Sequence, residues 1–179
     1  EETEIGVRTE ELLNILKRLK GKVYLEVKDN RLVVVSKESG IRRFSLRLIE
    51  VGKSEIPSID DLKFNASVRL KTKLLKTAIE DAKLVGDAIT FELNENSLKI
   101  GARGELSVFE TTIPLGNEGI ISMSGKGKST YGLDYISKLI LKEEDVKLDF
   151  SDDYPIRITY NIKNKARFTA VVAPRITEE

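Results

Sequence analysis

The sequence predicts an α+β protein of repeated β-α-β-β-β units, with helices on one face of antiparallel sheets. Three observations carry this. One pattern occurs three times within the 179 residues: a short strand, an amphipathic helix, then three strands parted by tight polar turns. Strands joined by such short turns run antiparallel, because a parallel crossover takes a dozen residues or more. One helix for every three or four strands gathers the helices on one side of a sheet.

The first copy starts at Glu4-Ile5-Gly6-Val7, and its helix carries Leu12, Ile15, Leu16 and Leu19 at i, i+3, i+4 and i+7. Its strands are "VYLEV", "RLVVVS" and "RRFSLRL", split by Asp29-Asn30 and Ser39-Gly40. The second copy opens on "KFNASVRL", and its helix buries Leu75, Ala78, Ile79 and Ala82. Turns follow at Gly86-Asp87, Asn94-Glu95-Asn96 and Arg103-Gly104. The third opens on "GKSTYG", with Ile136, Leu139 and Ile140 on its helix face and "VKLDF", "IRITYNI" and "RFTAVVA" as strands. Between copies one and two, residues 50–64 have no sustained period and carry Gly52, Ser54, Pro57 and Ser58, so they read as an extended connector. Ile56, Pro57 and Ile59 put apolar groups on it, which either tack the connector to its own domain or offer a docking surface.

Composition narrows the chemistry. The chain is 40% hydrophobic and 33% charged, enough for a real core, with no apolar run of the length a membrane span needs. Its first residues, Glu1-Glu2-Thr3-Glu4, are unlike a secretory leader, which points to an intracellular protein. The absence of Cys and His removes thiolate metal sites, disulfides and the usual acid-base residue, and no Ser has a His to activate it. No cofactor and no catalytic residue is expected. Lack of Cys, His and Trp beside many Glu and Lys fits a protein working hot. The chain starts without Met and in mid-pattern, which predicts a fragment.

Two stretches resemble catalytic or metal-binding sequence. "GKGKST", residues 125–130, ends like a phosphate-binding loop, but the position five before Gly127 is Ser122 where the motif needs Gly, and no βαβ unit surrounds it. A nucleotide-binding enzyme centred on Lys128 and Ser129 is therefore the weaker alternative. The acidic pairs Asp60-Asp61, Glu143-Glu144-Asp145 and Asp152-Asp153 could hold Mg²⁺, yet each falls in a connector, helix end or turn where acids are favoured for backbone reasons.

Bulk charge is balanced, with 30 Lys and Arg against 29 acids, so only local patterning can point to nucleic acid. Lys17 and Arg18 stand off the apolar face of the first helix with Lys20 at its end, Lys73, Lys76 and Lys83 off the second, and Lys138 and Lys142 off the third. Singly, each reads as a solvated helix lysine. Repeated on helices that share a face, they make a diffuse positive surface for phosphates without base reading, interrupted by Glu80 and Asp134.

The segments "EIPSIDDLKFNASVRL", "LKTAIEDAKLVGDAI", "ARGEL", "STYGLDYISKL", "SDDYPIRITYNI" and "VVAPRI" together resemble the archaeal and eukaryotic DNA sliding clamp, the proliferating cell nuclear antigen family. The resemblance implies the DNA clamp fold: residues 1–49 as the second half of an N-terminal clamp domain, 50–64 as the interdomain connecting loop and 65–179 as a complete C-terminal domain with its tail. It implies a processivity factor without catalysis, three subunits closed around double-stranded DNA and held by topology, with the helix cations as a loose lining. Ring closure would use the edge strands matching 41–48 and 107–113. Partners implied are DNA polymerase, clamp loader, flap endonuclease and DNA ligase, each plugging a short hydrophobic peptide into a pocket. Ile56 and Pro57 match its loop side, Gly132 and Pro155 its floor, and Val171, Ala173 and Pro174 its tail, while Arg175 and the residues after it would offer backbone groups. Placement beside the nucleoid of an archaeal cytoplasm, or in a eukaryotic nucleus, follows from the same resemblance. A non-ring interaction domain built from the same repeat stays open as an alternative.

Overall fold

The computed structural model describes residues 5–50, 61–163 and 165–175. Contacts divide the chain into two compact units, Glu1–Pro57 and Ser58–Glu179.

In the first unit, helix α1 (Thr9–Arg18) covers a three-stranded antiparallel sheet in the order β1 (Val23–Lys28), β2 (Arg31–Ser36), β3 (Arg42–Arg47). The leading strand is reduced to a single bridge between Gly6 and Ile49. Leu32, Val34 and Leu46 form the buried centre, and Leu12, Ile15 and Leu19 of the helix face pack on it. Leu16, expected on that face, is 37% exposed, because a sheet this narrow cannot reach under the whole apolar stripe. Asp29 and Asn30 close the β1–β2 hairpin with φ of 49° and 56°, the left-handed pair that a two-residue turn of this hand requires.

The second unit holds β4 (Ala66–Lys71), α2 (Thr72–Lys83), β5 (Ala88–Leu93), β6 (Ser97–Arg103) and β7 (Val108–Pro114), then β8 (Ile120–Gly125), β9 (Gly127–Gly132), α3 (Leu133–Lys138), β10 (Asp145–Phe150), β11 (Ile156–Ile162) and β12 (Ala166–Val172). The strands form a five-stranded sheet, β12-β11-β10-β4-β8, and a four-stranded sheet, β7-β6-β5-β9. Alternation is clean: Ile89, Phe91 and Leu93 turn inward from β5 while Thr90 and Glu92 do not. Both helices pack into the same core, which Leu75, Ala78 and Ile79 of α2 and Leu133 and Ile136 of α3 share with both sheets.

Two expectations change here, and a third is met. A strand appears outside the three copies: the run "GIISMS", residues 119–124, contributes β8, which pairs with β4. The third helix is shorter than its apolar spacing implied: it ends at Lys138, since Glu144 must return to accept a hydrogen bond from Thr72 N at 2.8 Å and launch β10 beside β4. Leu139 and Ile140 still pack on the core from outside the helix. The "GKGKST" stretch is extended, with Gly127 to Thr130 paired to Leu93 to Thr90 of β5, so these backbone groups do not wrap an anion.

Gly125, the last residue of β8 before the turn into β9, needs to be glycine. Its φ is +79°, and a Cβ there would run into the carbonyl of Asn65.

Candidate docking and nucleic-acid interfaces

A groove of about 590 Å³ opens where the chain leaves β12, lined by Gly132, Asp134 and Tyr135 at the start of α3, by Val171 to Arg175 of the tail, and by Asp87. The last β12 residues reach it because the β11–β12 ladder ends at Ile156–Val172, freeing Ala173 and Pro174 from pairing. Gly132 forms its floor beside Tyr135: a Cβ would sit 3.2 Å from the tyrosine ring. The tail is held from both sides. Arg175 N donates to Thr130 O of β9 at 2.7 Å, and its guanidinium meets Asp87 Oδ1 at 2.8 Å. That guanidinium holds the Asp87 carboxyl below the ordinary carboxylate range.

Of the residues singled out in the sequence, Gly132, Val171, Ala173, Pro174 and Arg175 come together at this groove. The N–H of Arg175 is spent on Thr130, so of its two backbone groups the carbonyl is the one left to meet an incoming peptide. Pro155 stands just before β11, next to the Ile156–Val172 pair, and is not among the lining residues. Ile56 and Pro57 lie outside the described residues. Tyr135 and Asp87 were not anticipated. An aromatic set off the apolar stripe of the third helix, 67% exposed, was the available signal for Tyr135, whereas nothing in the sequence pairs Asp87 with a residue 88 positions later.

The groove rests on a braced strand. Tyr131 of β9, fully buried, donates its hydroxyl to Tyr154 O at 2.8 Å, and Ser129 donates to the same oxygen at 3.3 Å. Burial pushes the Tyr131 hydroxyl up to about 12.

On α2, Lys73, Lys76 and Lys83 are exposed opposite Leu75, Ala78, Ile79 and Ala82, one stripe with Glu80 inside it. Glu80 takes an i,i+4 contact from Lys76 at 3.7 Å, which neutralises part of that stripe. Lys138 closes α3 and is exposed. Lys142 is also exposed but follows the helix instead of belonging to it, for the reason that shortens α3. In the first unit Lys17 and Arg18 occupy the exposed last turn of α1, and Lys20 follows it. Two of the acidic groups have structural work: Asp152 accepts from Lys128 N at 2.7 Å, Glu144 pairs with Lys71 at 2.6 Å and Asp145 with Arg69 at 3.2 Å, while Asp60 lies outside the described residues. Among the described residues, no three acids cluster as a metal site. Nor is any helix there long and apolar enough to cross a membrane.

Among the described residues six strands stand at sheet edges, β1, β3, β7, β8, β9 and β12, and β3 and β7 are the two that match the strands expected at ring closure. β3 and β7 each have one neighbour, β2 and β6. Leu48 N bonds Asn30 O at 3.1 Å, so alternation turns the backbone groups of Arg43, Ser45 and Arg47 away from β2. Gly104 N bonds Ser107 O at 2.9 Å and Leu115 N bonds Asn96 O at 2.7 Å, which turns those of Val108, Glu110 and Thr112 away from β6. Pro114 falls at the same outward kind of position, where its missing N–H costs the ladder nothing.

A braced groove, a positive helix stripe and sheet edges with unpaired backbone groups define a binding protein. No family model matches the chain. It is 34% identical over 182 residues to the DNA polymerase sliding clamp of Pyrococcus furiosus, a match covering 97% of this chain and 73% of that protein. The structure of PCNA from Thermococcus kodakaraensis superposes with a TM-score of 0.82 at 26% identity, over 93% of this chain and 71% of that one. A structure of the C-terminal region of FEN-1 bound to A. fulgidus PCNA gives a TM-score of 0.86 at 23% identity over 100% of this chain and 75% of that one. The chain belongs to the DNA polymerase sliding clamp family.

Proposed function

We propose that this chain is a DNA polymerase processivity factor that closes with other subunits into a trimeric ring around duplex DNA and carries replication and repair enzymes on its tail groove. Family membership over 97% of the chain is the observation that carries the reading. The geometry supports it. A protein held by topology needs a weak, sequence-blind positive lining, and Lys73, Lys76, Lys83 and Lys138, with Lys17, Arg18, Lys20 and Lys142, supply exposed cations that are not committed to base recognition. Residues 1–49 and 65–179 act as the second half of one clamp domain and a complete second one, joined by 50–64.

Head-to-tail closure pairs β3 of one subunit with β7 of the next. The exposed side chains of β3 include Arg43 and Arg47, and those of β7 include Glu110, which Lys99 of β6 already meets at 2.7 Å, so the edge match rests on backbone groups more than on charge. The groove takes hydrophobic peptide anchors from polymerase, clamp loader, flap endonuclease and ligase, with Val171, Ala173 and Pro174 as its apolar wall and no catalytic role.

Retention on DNA tests the central claim. Loaded by a clamp loader onto nicked circular DNA, the protein is expected to stay on the circle and to run off once the circle is cut. Equal retention on circular and linear DNA would replace the ring with ordinary surface binding.

A further inference from the structure

The sheet of the first unit gathers cations on the face turned away from its helix. Leu32, Val34 and Leu46 lie in the core under α1, so alternation turns Arg31, Val33 and Val35 of β2, and Arg43 and Arg47 of β3, the other way. Lys28, Arg31 and Arg47 stand opposite one another in one row across the three strands. Tyr24, Val35 and Arg43 make a second row, with Lys37 Nζ 5.1 Å from the centre of the Tyr24 ring. Those cations are all exposed, Tyr24 is 52% exposed, and Glu26 is the single acid at a strand position on this face. Since Leu48 N bonds Asn30 O, Arg31 and Arg47 form a non-hydrogen-bonded pair, the kind in which facing Cα atoms come as near as about 4.5 Å.

Like charges set directly opposite in a sheet are destabilising, and Arg31 stands on the central strand, where a cation has no edge to protect. The second unit avoids the arrangement. There Lys147 and Arg157 reach Asp149 at 2.8 and 3.0 Å, Arg69 reaches Asp145 at 3.2 Å, and Lys99 reaches Glu110 at 2.7 Å. In the first unit, among the described residues, the one ion pair joins Arg8 to Glu11, and none engages the cations of the sheet. A face whose cations are crowded and left unpaired fits a ligand that brings its own anions.

We infer that this face holds a single strand of DNA, with phosphates on Lys28, Arg31, Arg43 and Arg47 and a base stacked on Tyr24. Guanidinium forks match phosphate oxygens, and Arg43 and Arg47 are about 13 Å apart along β3, a track that a strand can follow. Stacking on an aromatic ring is open to every base, so the binding is blind to sequence. A duplex keeps its base faces inside and cannot use the ring. An acidic peptide fits the face less well, because peptides take backbone bonds from a sheet edge or sink anchors into a pocket, and here Val33 and Val35 are already half-buried and buried. Lys37 is exposed and flexible, and yields the ring to a base cheaply. The site is separate from the helix cations, since α1 with Lys17 and Arg18 covers the other side of this sheet. It is also independent of ring closure, which takes backbone groups in the plane of β3 and leaves its faces open.

The test is fluorescence anisotropy of a labelled oligothymidylate over a salt series, on the full chain and on three sets of variants, with thermal unfolding of each. The sets are Lys28→Gln with Arg31→Gln and Arg47→Gln on the sheet, Tyr24→Ala beside Tyr24→Phe, and Lys73→Ala with Lys76→Ala and Lys83→Ala on α2. The sheet variant is expected to flatten the plot of log affinity against log salt by about 2, at about 0.7 per lost phosphate contact, while the α2 variant keeps the slope of the unaltered chain. Tyr24→Ala is expected to bind about fivefold more weakly or worse, and Tyr24→Phe, which keeps the ring, binds like the unaltered chain. Relief of opposed like charges should leave the melting temperature of the sheet variant level or raised. An unaltered slope in the sheet variant overturns the inference and leaves the ring reading standing. Equal affinity in Tyr24→Ala, or weakening that Tyr24→Phe shares, makes the face a general polyanion surface and overturns the single strand as its occupant. A lower melting temperature in the sheet variant turns the row into a structural part, and failure of the unaltered chain to bind removes the site, so either result overturns it as well.

Discussion

Replacing Thr112 by Pro separates assembly from folding. The Lys99–Thr112 pair is one of the wide pairs of the β6–β7 ladder, so the Thr112 N–H faces away from β6 and no bond inside the subunit uses it. Pro114 already occupies the equivalent place two residues on. The monomer is therefore expected to change by less than about 1 kcal/mol on Thr112→Pro, since the substitution removes an unused donor and stiffens an extended residue. At the edge the loss is larger. One inter-strand bond disappears and the ring crowds those beside it, so two or three bonds at about 1 kcal/mol each are affected, roughly 2–3 kcal/mol in all. Self-association should weaken about 30- to 150-fold, a change readable by sedimentation equilibrium over a concentration series. The neighbour is the control. Thr111 lies in a bonded pair with Ile100, so Thr111→Pro breaks the β6 ladder itself and should destabilise the monomer by about 3 kcal/mol. Equal association of Thr112→Pro and the unaltered chain, or no association of the unaltered chain at any concentration, would refute edge-to-edge closure.

The remaining predictions concern charge and packing. Replacing Lys73, Lys76 and Lys83 by Ala should flatten the plot of log DNA affinity against log salt by nearly 3, at about 0.9 per lost phosphate contact, and an unaltered slope would move the DNA to another face. Gly125→Ala should cost about 2–4 kcal/mol by denaturant unfolding, because it combines a left-handed residue with a clash on the Asn65 carbonyl. Tyr131 titrates near 10 in the unfolded chain and about 12 when folded, so its contribution is complete below pH 10 and falls away as pH rises toward 12. Tyr131→Phe should remove that part of the alkaline slope and cost about 1 kcal/mol at neutral pH through the lost bond to Tyr154.

Periodicity exposed the three helices, because each carries its apolar residues where one face must meet a sheet. Hairpin turns such as Asp29-Asn30 were legible for a similar reason, since local backbone demands select local residue types. Tail residues Val171, Ala173 and Pro174 showed themselves through an apolar run stopped by proline. Asp87 did not, because it acquires its meaning from Arg175, a partner distant in the chain.

The sequence by itself determined the class of fold, the count of repeats, the helix cations and the apolar tail, all of which rest on spacing within a dozen or so residues. Only the tertiary structure decided how the repeats combine. β4, which opens the second repeat, pairs with β10 of the third, while β9, which opens the third, pairs with β5 of the second. Each repeat read alone would keep its own leading strand. The exchange buries Val68 and Leu70 beside Val146 and Leu148, and Tyr131 beside Ile89 and Phe91, in one shared core, and the short α3 follows from it. Such pairing depends on which faces are left to cover once every strand is in place, a condition of the whole unit that no local pattern encodes.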